Sequence, residues 1–225
     1  MASGIDGKLI ICIGRESGSG GRKIGMMLAE KLGVNCYARE LISVAAENSG
    51  LCDEIIASHD ERPRRSFLYS LVMDSYSVGY HAQMVDMPMD QKVFLAQYEA
   101  IKKLASESGC VFVGRCADYV LQDDPDMVSV FITASEEDKI QTVMETHSLD
   151  RAKAKDYIQK TDRRRSSYYN SYSDRRWGLA SSYDLCLNRS ALGFEGTAEA
   201  ILAFARLKKR GIREPEKLTP EDTDE

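Results

Sequence analysis

A glycine-rich turn between two apolar segments is the part of the sequence best suited to chemistry. Gly14–Gly21 (GRESGSGG) follows the β-branched run Leu9–Ile13 and leads into a segment in which Ile24, Leu28 and Leu32 share one helical face. Glycine lets the chain curl closely enough to point several backbone N–H groups at one ligand, and a following helix adds free N–H groups of its own. The order of strand, glycine loop and helix therefore predicts a phosphate-binding loop.

The loop departs from the common phosphate-loop pattern GxxxxGK[ST]. With Ser17-Gly18-Ser19-Gly20 as its core, the lysine position holds Gly21, and neither of the next two residues, Arg22 and Lys23, carries the hydroxyl that holds magnesium. Positive charge is still present at Arg15, Arg22 and Lys23, so the electrostatic requirement can be met differently. The structural alternative is a flexible Gly/Ser turn before an ordinary surface helix.

A second candidate follows a short apolar run, Cys110–Val113. Gly114 and Arg115 come directly after it, and a guanidinium at a strand end suits a phosphate or the edge of a base because its fork makes paired hydrogen bonds. The alternative is an arginine that is salt-bridged to a neighbouring helix. We expect the ligand-binding role.

A third basic feature is the arginine- and tyrosine-rich segment 162–177, DRRRSSYYNSYSDRRW. Its composition is too polar for the core, which leaves a solvated helix end, a mobile lid, or an RNA-binding surface of arginine and stacked tyrosine. Phosphoryl transfer needs charge neutralisation and exclusion of water, and arginines on a closing segment provide both. In a chain that also carries a phosphate loop, we expect the lid.

Composition restricts the remaining possibilities. The chain has 225 residues, 43% of them hydrophobic, which suits one large α/β domain or a domain with a small insert. A net charge of −5 and a pI near 5.4 argue against bulk nucleic-acid binding. The sequence has no apolar run of the roughly 18 to 20 residues that span a membrane and no secretion signal, so we expect a cytoplasmic protein. Scattered cysteines and histidines predict neither a disulfide nor a metal cluster.

Strands and helices alternate along the chain. Short apolar strands without polar alternation predict a parallel sheet covered by helices on both faces, with the ligand beyond the carboxyl ends of the strands. The glycine loop, Gly114-Arg115 and Asn188-Arg189 all fall at such ends. Predicted strands are Leu9–Ile13, Val34–Tyr37, Cys110–Val113, Met127–Thr133 and Tyr183–Leu187. Predicted helices include Glu40–Asn48, one spanning Phe94 to Leu104, one capped by Ser135, one from Asp150 to beyond Arg165, and Thr197–Lys209.

Four segments together resemble the cytidylate kinase-like proteins of the P-loop nucleoside monophosphate kinase class: IGRESGSGGRKIGMMLAEKLGV, VFVGRCADYVL, TDRRRSSYYNSY and YDLCLNRSALG. The resemblance runs from about Leu9 to Phe204. It implies a three-layer α/β P-loop NTPase fold, in one kinase-like domain over residues 1–210. Within it, residues 40–92 would form a helical cover over the acceptor and residues 160–178 a lid. The acidic, proline-bearing composition of residues 211–225 separately predicts a disordered tail.

The same resemblance implies roles for individual residues, with ATP and Mg²⁺ as cofactors. Ser17, Gly18, Ser19, Gly20, Gly21 and Arg22 would cradle the ATP phosphates, and Asn188 would lie near the adenine. Arg115 and Asp118 would contact the acceptor, and Asp162 would orient the lid arginines Arg163, Arg164 and Arg165, which stabilise the phosphoryl group in transfer. Arg22 or Lys23 would replace the missing lysine. No protein ligand is assigned to the metal.

The expected activity is transfer of the ATP γ-phosphoryl group to a nucleoside monophosphate, CMP or dCMP, giving ADP and the diphosphate. The partner would be a small-molecule nucleotide, with no membrane and no nucleic acid involved. Two alternatives remain: a P-loop kinase of another small molecule, and a nucleotide-binding sensor without catalysis. Cys116 stands where cytidylate kinases have an aspartate, and the sequence identifies neither the residues that read the base nor the oligomeric state.

Overall fold

The computed structural model of the protein describes residues 7–38, 40–62 and 87–210. Within these ranges the chain builds one sheet in the strand order β2-β3-β1-β4-β5. Every pairing between neighbouring strands is parallel. The strands are β1 Ile10–Arg15, β2 Asn35–Tyr37, β3 Cys110–Val113, β4 Met127–Thr133 and β5 Leu185–Asn188.

Helices cover both faces of this sheet. They are α1 Gly21–Leu32, α2 Leu41–Ser49, α3 Asp53–His59, α4 Met89–Glu107, α5 Ala117–Val120, α6 Glu136–His147, α7 Arg151–Tyr172 and α8 Arg189–Lys209, with a 3₁₀ turn at Ala180–Ser182. No helix within the described ranges is long and apolar enough to cross a membrane.

The central strand divides the core between the two helical layers. Ile10 and Cys12 of β1 point to the face that α2, α3, α4 and α5 cover, while Ile11 and Ile13 point to the face covered by α1 and α8. This alternation is the period of two that any strand imposes, and both faces are apolar because both are buried. The predicted α/β sandwich of three layers is confirmed.

The predicted strands at Cys110–Val113 and Met127–Thr133 are confirmed to the residue. The last helix begins at Arg189 rather than at Thr197, because the Asn188 side chain caps the N–H of Ser190. A non-helical Gly193 interrupts it. In the predicted cover, residues 40–92, the structure shows α2, α3 and the start of α4. The remainder of that segment, 63–86, and the predicted disordered tail from 211 lie outside the described residues.

The expectation that segment 162–177 is too polar for the core was wrong for its tyrosines. Tyr168, Tyr169 and Tyr172 are buried, and the Tyr172 ring stacks on Phe94 with centroids 4.1 Å apart. These residues share one face of α7, and their hydroxyls donate to Gln97 Oε1, Asp118 and the carbonyl of Asp90, respectively. Because these three rings are buried, they do not offer the stacking surface that an RNA-binding role would use.

Candidate active site

A cavity of about 410 Å³ lies beyond the carboxyl ends of β1 and β3, which is where ligands bind in open parallel sheets. Its size falls within the range of small-molecule sites. Its walls come from the glycine-rich loop, from the end of β3, from the residues after α3, and from α6 and α7. The charged groups in the lining include Arg15, Arg22, Arg115, Arg164, Arg165, Glu16, Asp60 and Glu61.

The glycine-rich loop has the backbone geometry expected of an anion site. Gly18 and Gly20 have φ values of 77° and 82°, a region that side chains disfavour. Gly20 is the N-cap of α1, and no side chain caps that helix end, so its first N–H groups are left for a ligand. Arg189 donates to the carbonyl oxygens of Gly18 and Ser19 over 3.3 and 3.2 Å, which fixes the loop from its outer side.

A carboxylate of α7 lies on this loop. The main-chain N–H of Ser17 donates a 2.6 Å hydrogen bond to Asp162 Oδ1. Burial raises the pKa of Asp162 to about 6, although the bond from Ser17 and the charge of Arg165 act in the opposite direction. The loop therefore binds an anionic oxygen in this structure, and that oxygen belongs to the protein itself.

The residue before Ser17 connects the loop to the next strand. Glu16 Oε2 accepts a hydrogen bond from Thr133 Oγ1 at the end of β4 and an ion pair from Lys139 Nζ at 2.9 Å. Thr133 and Lys139 thus hold the loop against β4 and α6.

Arg115 projects from the end of β3 into the cavity, where it is held by Asp60. Its Nε and Nη2 donate to the two carboxylate oxygens of Asp60 over 3.1 and 2.6 Å, and its Nη1 donates to the carbonyl of Val113. The residue is 6% exposed. Burial alone would lower the pKa of Arg115, but the carboxylates of Asp60 and Glu61 raise it. Both sequence-based alternatives are thus present, since Arg115 reaches the cavity and is also ion-paired.

Glu61 is the anion at the centre of three guanidinium groups. Its Oε1 accepts from Arg15 Nη2 at 3.0 Å, and its Oε2 lies 3.5 Å from Arg165 Nε. Burial alone would raise the pKa of this carboxyl, but Arg15, Arg115 and Arg165 hold it well below its ordinary value. Glu61 therefore stays ionised and balances part of the positive charge around it.

Arg165 is the least satisfied member of this cluster. Its Nε is buried, and among the described residues it has no hydrogen-bond acceptor. Burial lowers the pKa of Arg165 to about 10, and repulsion from Arg15 adds to that effect while Glu61 opposes it. An anionic ligand that enters the cavity beside Glu61 would reduce the repulsion between Arg165 and Arg15 and would give Arg165 Nε a hydrogen-bond acceptor.

The structure brings some of the predicted residues into the cavity and not others. Arg164 and Arg165 line it, whereas Arg163 is exposed on another side of α7 and is not among the lining residues. Arg22 lines the cavity but pairs with Glu40 at 3.1 Å in an exposed position. The Lys23 ammonium lies 4.1 Å above the centroid of the Phe194 ring.

Two further predicted residues have structural contacts. Asp118 is buried, accepts a 2.7 Å hydrogen bond from Tyr169 Oη and does not line the cavity. Burial raises the pKa of this carboxyl. Asn188 caps α8, so its side-chain oxygen is already used. The catalytic and binding roles of all the predicted site residues stay predictions.

Sequence reasoning missed Asp60, Glu61 and Arg189. The two acidic residues follow α3 in a segment with no clear period, so nothing in the pattern separated them from other surface charges. Arg189 directly follows β5, and Arg115 follows β3 after one intervening residue, Gly114. Its position at a strand end was noted, but contact with the loop carbonyls depends on how α8 packs.

A parallel sheet in this strand order, with a glycine loop between β1 and α1, defines a protein with the P-loop kinase fold. The chain belongs to the cytidylate kinase-like family, whose model matches residues 10–191. No protein among the curated sequences matches it.

One solved structure shares this architecture. The crystal structure of an uncharacterized protein from Eubacterium ventriosum is similar to this chain with 28% identity and a TM-score of 0.67, covering 88% of this chain and 98% of that one. Shikimate kinase from Bacteroides thetaiotaomicron matches with 12% identity and a TM-score of 0.49, covering 90% of this chain and 97% of that one.

Proposed function

We propose that this protein transfers the γ-phosphoryl group of ATP to a nucleoside monophosphate, with CMP or dCMP as the acceptor. The observation that carries the proposal is the single cavity that joins the glycine-rich loop to Arg115 and Arg165. The glycine-rich loop and the uncapped end of α1 suit the donor phosphates, and arginines beside them suit the acceptor phosphate and the charge of the transition state.

The loop fits the phosphates of ATP. Its Ser17 N–H already holds a carboxylate oxygen, and the uncapped end of α1 adds further donors. The usual protein contact to magnesium is missing, because the two residues after the lysine position are Arg22 and Lys23, and neither carries a hydroxyl group. No group of three or more His, Cys, Asp or Glu in the described part of the chain is arranged to hold a metal. Bound together with the nucleotide, magnesium would neutralise charge on the donor oxygens.

The acceptor phosphate is assigned to Arg115 at the end of β3. An oxygen of that phosphate attacks the γ-phosphorus in line, the bond from the γ-phosphorus to the β,γ-bridging oxygen breaks, and ADP leaves. The attacking oxygen is already anionic, so no general base is needed. Arg165, and Arg164 beside it, supply positive charge to the equatorial oxygens as that charge spreads.

Membership of the cytidylate kinase-like family supports cytidylate as the acceptor. The test is ADP production from ATP and magnesium with CMP, dCMP, UMP, AMP and GMP offered separately. We expect kcat/KM to be highest for CMP or dCMP. Turnover of ATP with none of the five would overturn the proposal, and strong turnover with a different small molecule would identify a kinase of another substrate.

A nucleotide-binding sensor without catalysis is a second candidate, and one observation favours it: Gly21 stands at the lysine position of the loop. Such a sensor would bind ATP, with affinity measurable by calorimetry, and would form no ADP with any of the five acceptors. The two measurements together separate the sensor from the kinase.

A further inference from the structure

Two positions of the glycine-rich loop have exchanged residue types relative to the pattern GxxxxGK[ST]. With Gly20 as the second glycine of that pattern, the first glycine falls five residues earlier, at Arg15, and the lysine falls at Gly21. A cation therefore stands where the pattern has glycine, and a glycine stands where it has the cation.

The structure shows that the two changes depend on each other. A Cβ added to Gly21 would lie 2.6 Å from Arg15 Cβ and 3.0 Å from Arg15 Cγ. Gly21 does not have a positive φ, so its backbone conformation does not require glycine. Glycine is required at this position because the Arg15 side chain runs directly over Gly21 and fills the space that the aliphatic part of a lysine side chain would need.

The charged end of Arg15 lies inside the cavity. A Cβ at Gly114 would collide with Arg15 Nη1, so the guanidinium crosses from the loop to the end of β3. There it pairs with Glu61 at 3.0 Å, and its side chain is only 12% exposed. It therefore lies between the loop and Arg115. By comparison, Lys23 is held over the Phe194 ring.

We propose that Arg15 takes the part of the P-loop lysine and contacts the β- and γ-phosphates of the donor nucleotide. This rests on the proposed function in one respect, namely that ATP binds at the loop. On binding, the guanidinium exchanges Glu61 for phosphate oxygens. Glu61 keeps Arg115 and Arg165 as neighbouring cations. The planar fork of arginine engages two oxygens at once, whereas an ammonium acts as a point charge.

The test measures ATP affinity by calorimetry, in the presence of magnesium and with no acceptor. We expect Arg15→Met to weaken ATP binding about tenfold to a hundredfold, the range for losing a hydrogen bond to a charged group. Arg15→Lys should lose less because it keeps the cation. The matched control is Arg151→Met, which removes an exposed guanidinium paired with Glu137 on the surface. Thermal unfolding of each variant checks that it is folded. Unchanged ATP affinity in folded Arg15→Met would overturn the proposal.

The exchange of residue types supplies a second test. Arg15→Gly opens the space over Gly21, so Arg15→Gly/Gly21→Lys should bind ATP more tightly than Arg15→Gly alone, whereas Gly21→Lys alone should be impaired by the collision with Arg15. Equal ATP affinity in Arg15→Gly and in the folded double variant would contradict the coupling. If wild-type protein binds ATP but phosphorylates no acceptor, the proposed function fails and the assignment of Arg15 is still decided. If wild-type protein does not bind ATP, both fail.

Discussion

The Ser17 main-chain N–H and the Asp162 carboxylate are joined by a 2.6 Å hydrogen bond, so an anion from α7 lies on the loop where a donor phosphate would bind. A phosphate oxygen arriving at the same N–H must displace that carboxylate. The other charged groups around Asp162 are Glu16, Lys139 and Arg165.

Removing the charge of Asp162 should strengthen ATP binding, and the effect should depend on pH. Because the pKa of Asp162 is raised to about 6, the wild-type carboxylate is charged at pH 7.5 and becomes neutral as the pH falls through 6. Asp162→Asn keeps an acceptor for the Ser17 N–H without the charge. We expect Asp162→Asn to bind ATP about tenfold more tightly than wild type at pH 7.5, equivalent to about 1.4 kcal/mol, and about equally at pH 5. Parallel pH profiles of ATP affinity would contradict this.

The same raised pKa predicts a change in stability. A carboxyl whose pKa is higher in the folded than in the unfolded chain stabilises the fold at low pH and loses that contribution as pH rises through the folded pKa. The loss for Asp162 falls between about pH 4 and 6. At pH 7, Asp162→Asn should therefore unfold in urea at a concentration equal to or above that for wild type. A lower midpoint would show that the charge stabilises the fold.

Arg165 should matter more for the rate of transfer than Arg163, although both are lid arginines in the sequence-based prediction. Arg165 lines the cavity with a buried Nε that has no acceptor in the described residues, and Arg163 is exposed. We expect Arg165→Met to lower kcat by about a hundredfold or more, as for loss of one transition-state donor, with a smaller change in ATP affinity. Arg163→Met is the matched comparison, because Arg163 belongs to the same helix but does not line the cavity. An equal loss of kcat in both variants would contradict this placement.

Arg115 should act on the acceptor and not on the donor. Arg115→Ala would remove the ion-pair partner of Asp60. Arg115→Lys is the better variant because it keeps a cation beside Asp60. Lysine cannot make the paired contacts of the guanidinium, and we expect the acceptor KM to rise about tenfold or more while the KM for ATP is little changed. Steady-state kinetics with each substrate varied in turn measure both. A selective rise in the KM for ATP would assign Arg115 to the donor.

Glu61 should stabilise the folded protein through its three arginine neighbours. Its pKa is held below the ordinary value of 4.5, so its contribution is present above about pH 4.5 and is lost as the pH falls further. We expect Glu61→Gln to lower the free energy of unfolding at pH 7 by about 3 kcal/mol or more, as for breaking a buried ion pair, and the difference from wild type to shrink below pH 4.5. Glu137→Gln, at an exposed pair with Arg151, should have a much smaller effect. A Glu61→Gln protein as stable as wild type at pH 7 would contradict the role of Glu61.

The fold was largely predictable because local pattern and tertiary structure agree in its strands. Cys110–Val113 and Met127–Thr133 are short apolar runs bounded by polar or glycine residues, and a strand buried on both faces reads in that way. The start of the last helix was not predictable from periodicity, since Gly193 interrupts it. The tyrosines of α7 were predicted to lie outside the core but are buried, because a tyrosine hydroxyl can hydrogen-bond to a buried partner such as Asp118.

The site was predictable only where a residue type suited to phosphate binding lies at the end of a strand. The glycine loop and Arg115 lie at the carboxyl ends of β1 and β3, so sheet topology alone brings them to one edge. Asp60 and Glu61 reach the same cavity from a segment with no regular pattern, and their partners are far away in sequence. Arg164 and Arg165 line the cavity and Arg163 does not. Which of these three consecutive arginines reach the cavity depends on the rotation of α7, because neighbouring residues on a helix point about 100° apart. Sequence alone does not fix that rotation.

Direct transfer of the γ-phosphoryl group from ATP to a nucleoside monophosphate bound in the same cavity can be followed with a radioactive label. The most direct test follows the label from [γ-³²P]ATP in the presence of magnesium and CMP, with Arg165→Met as the impaired comparison. We expect the label to appear in CDP, with one ADP formed for each CDP, and at a much lower rate in the variant. Label that stays in ATP, or that appears only as inorganic phosphate, would contradict it.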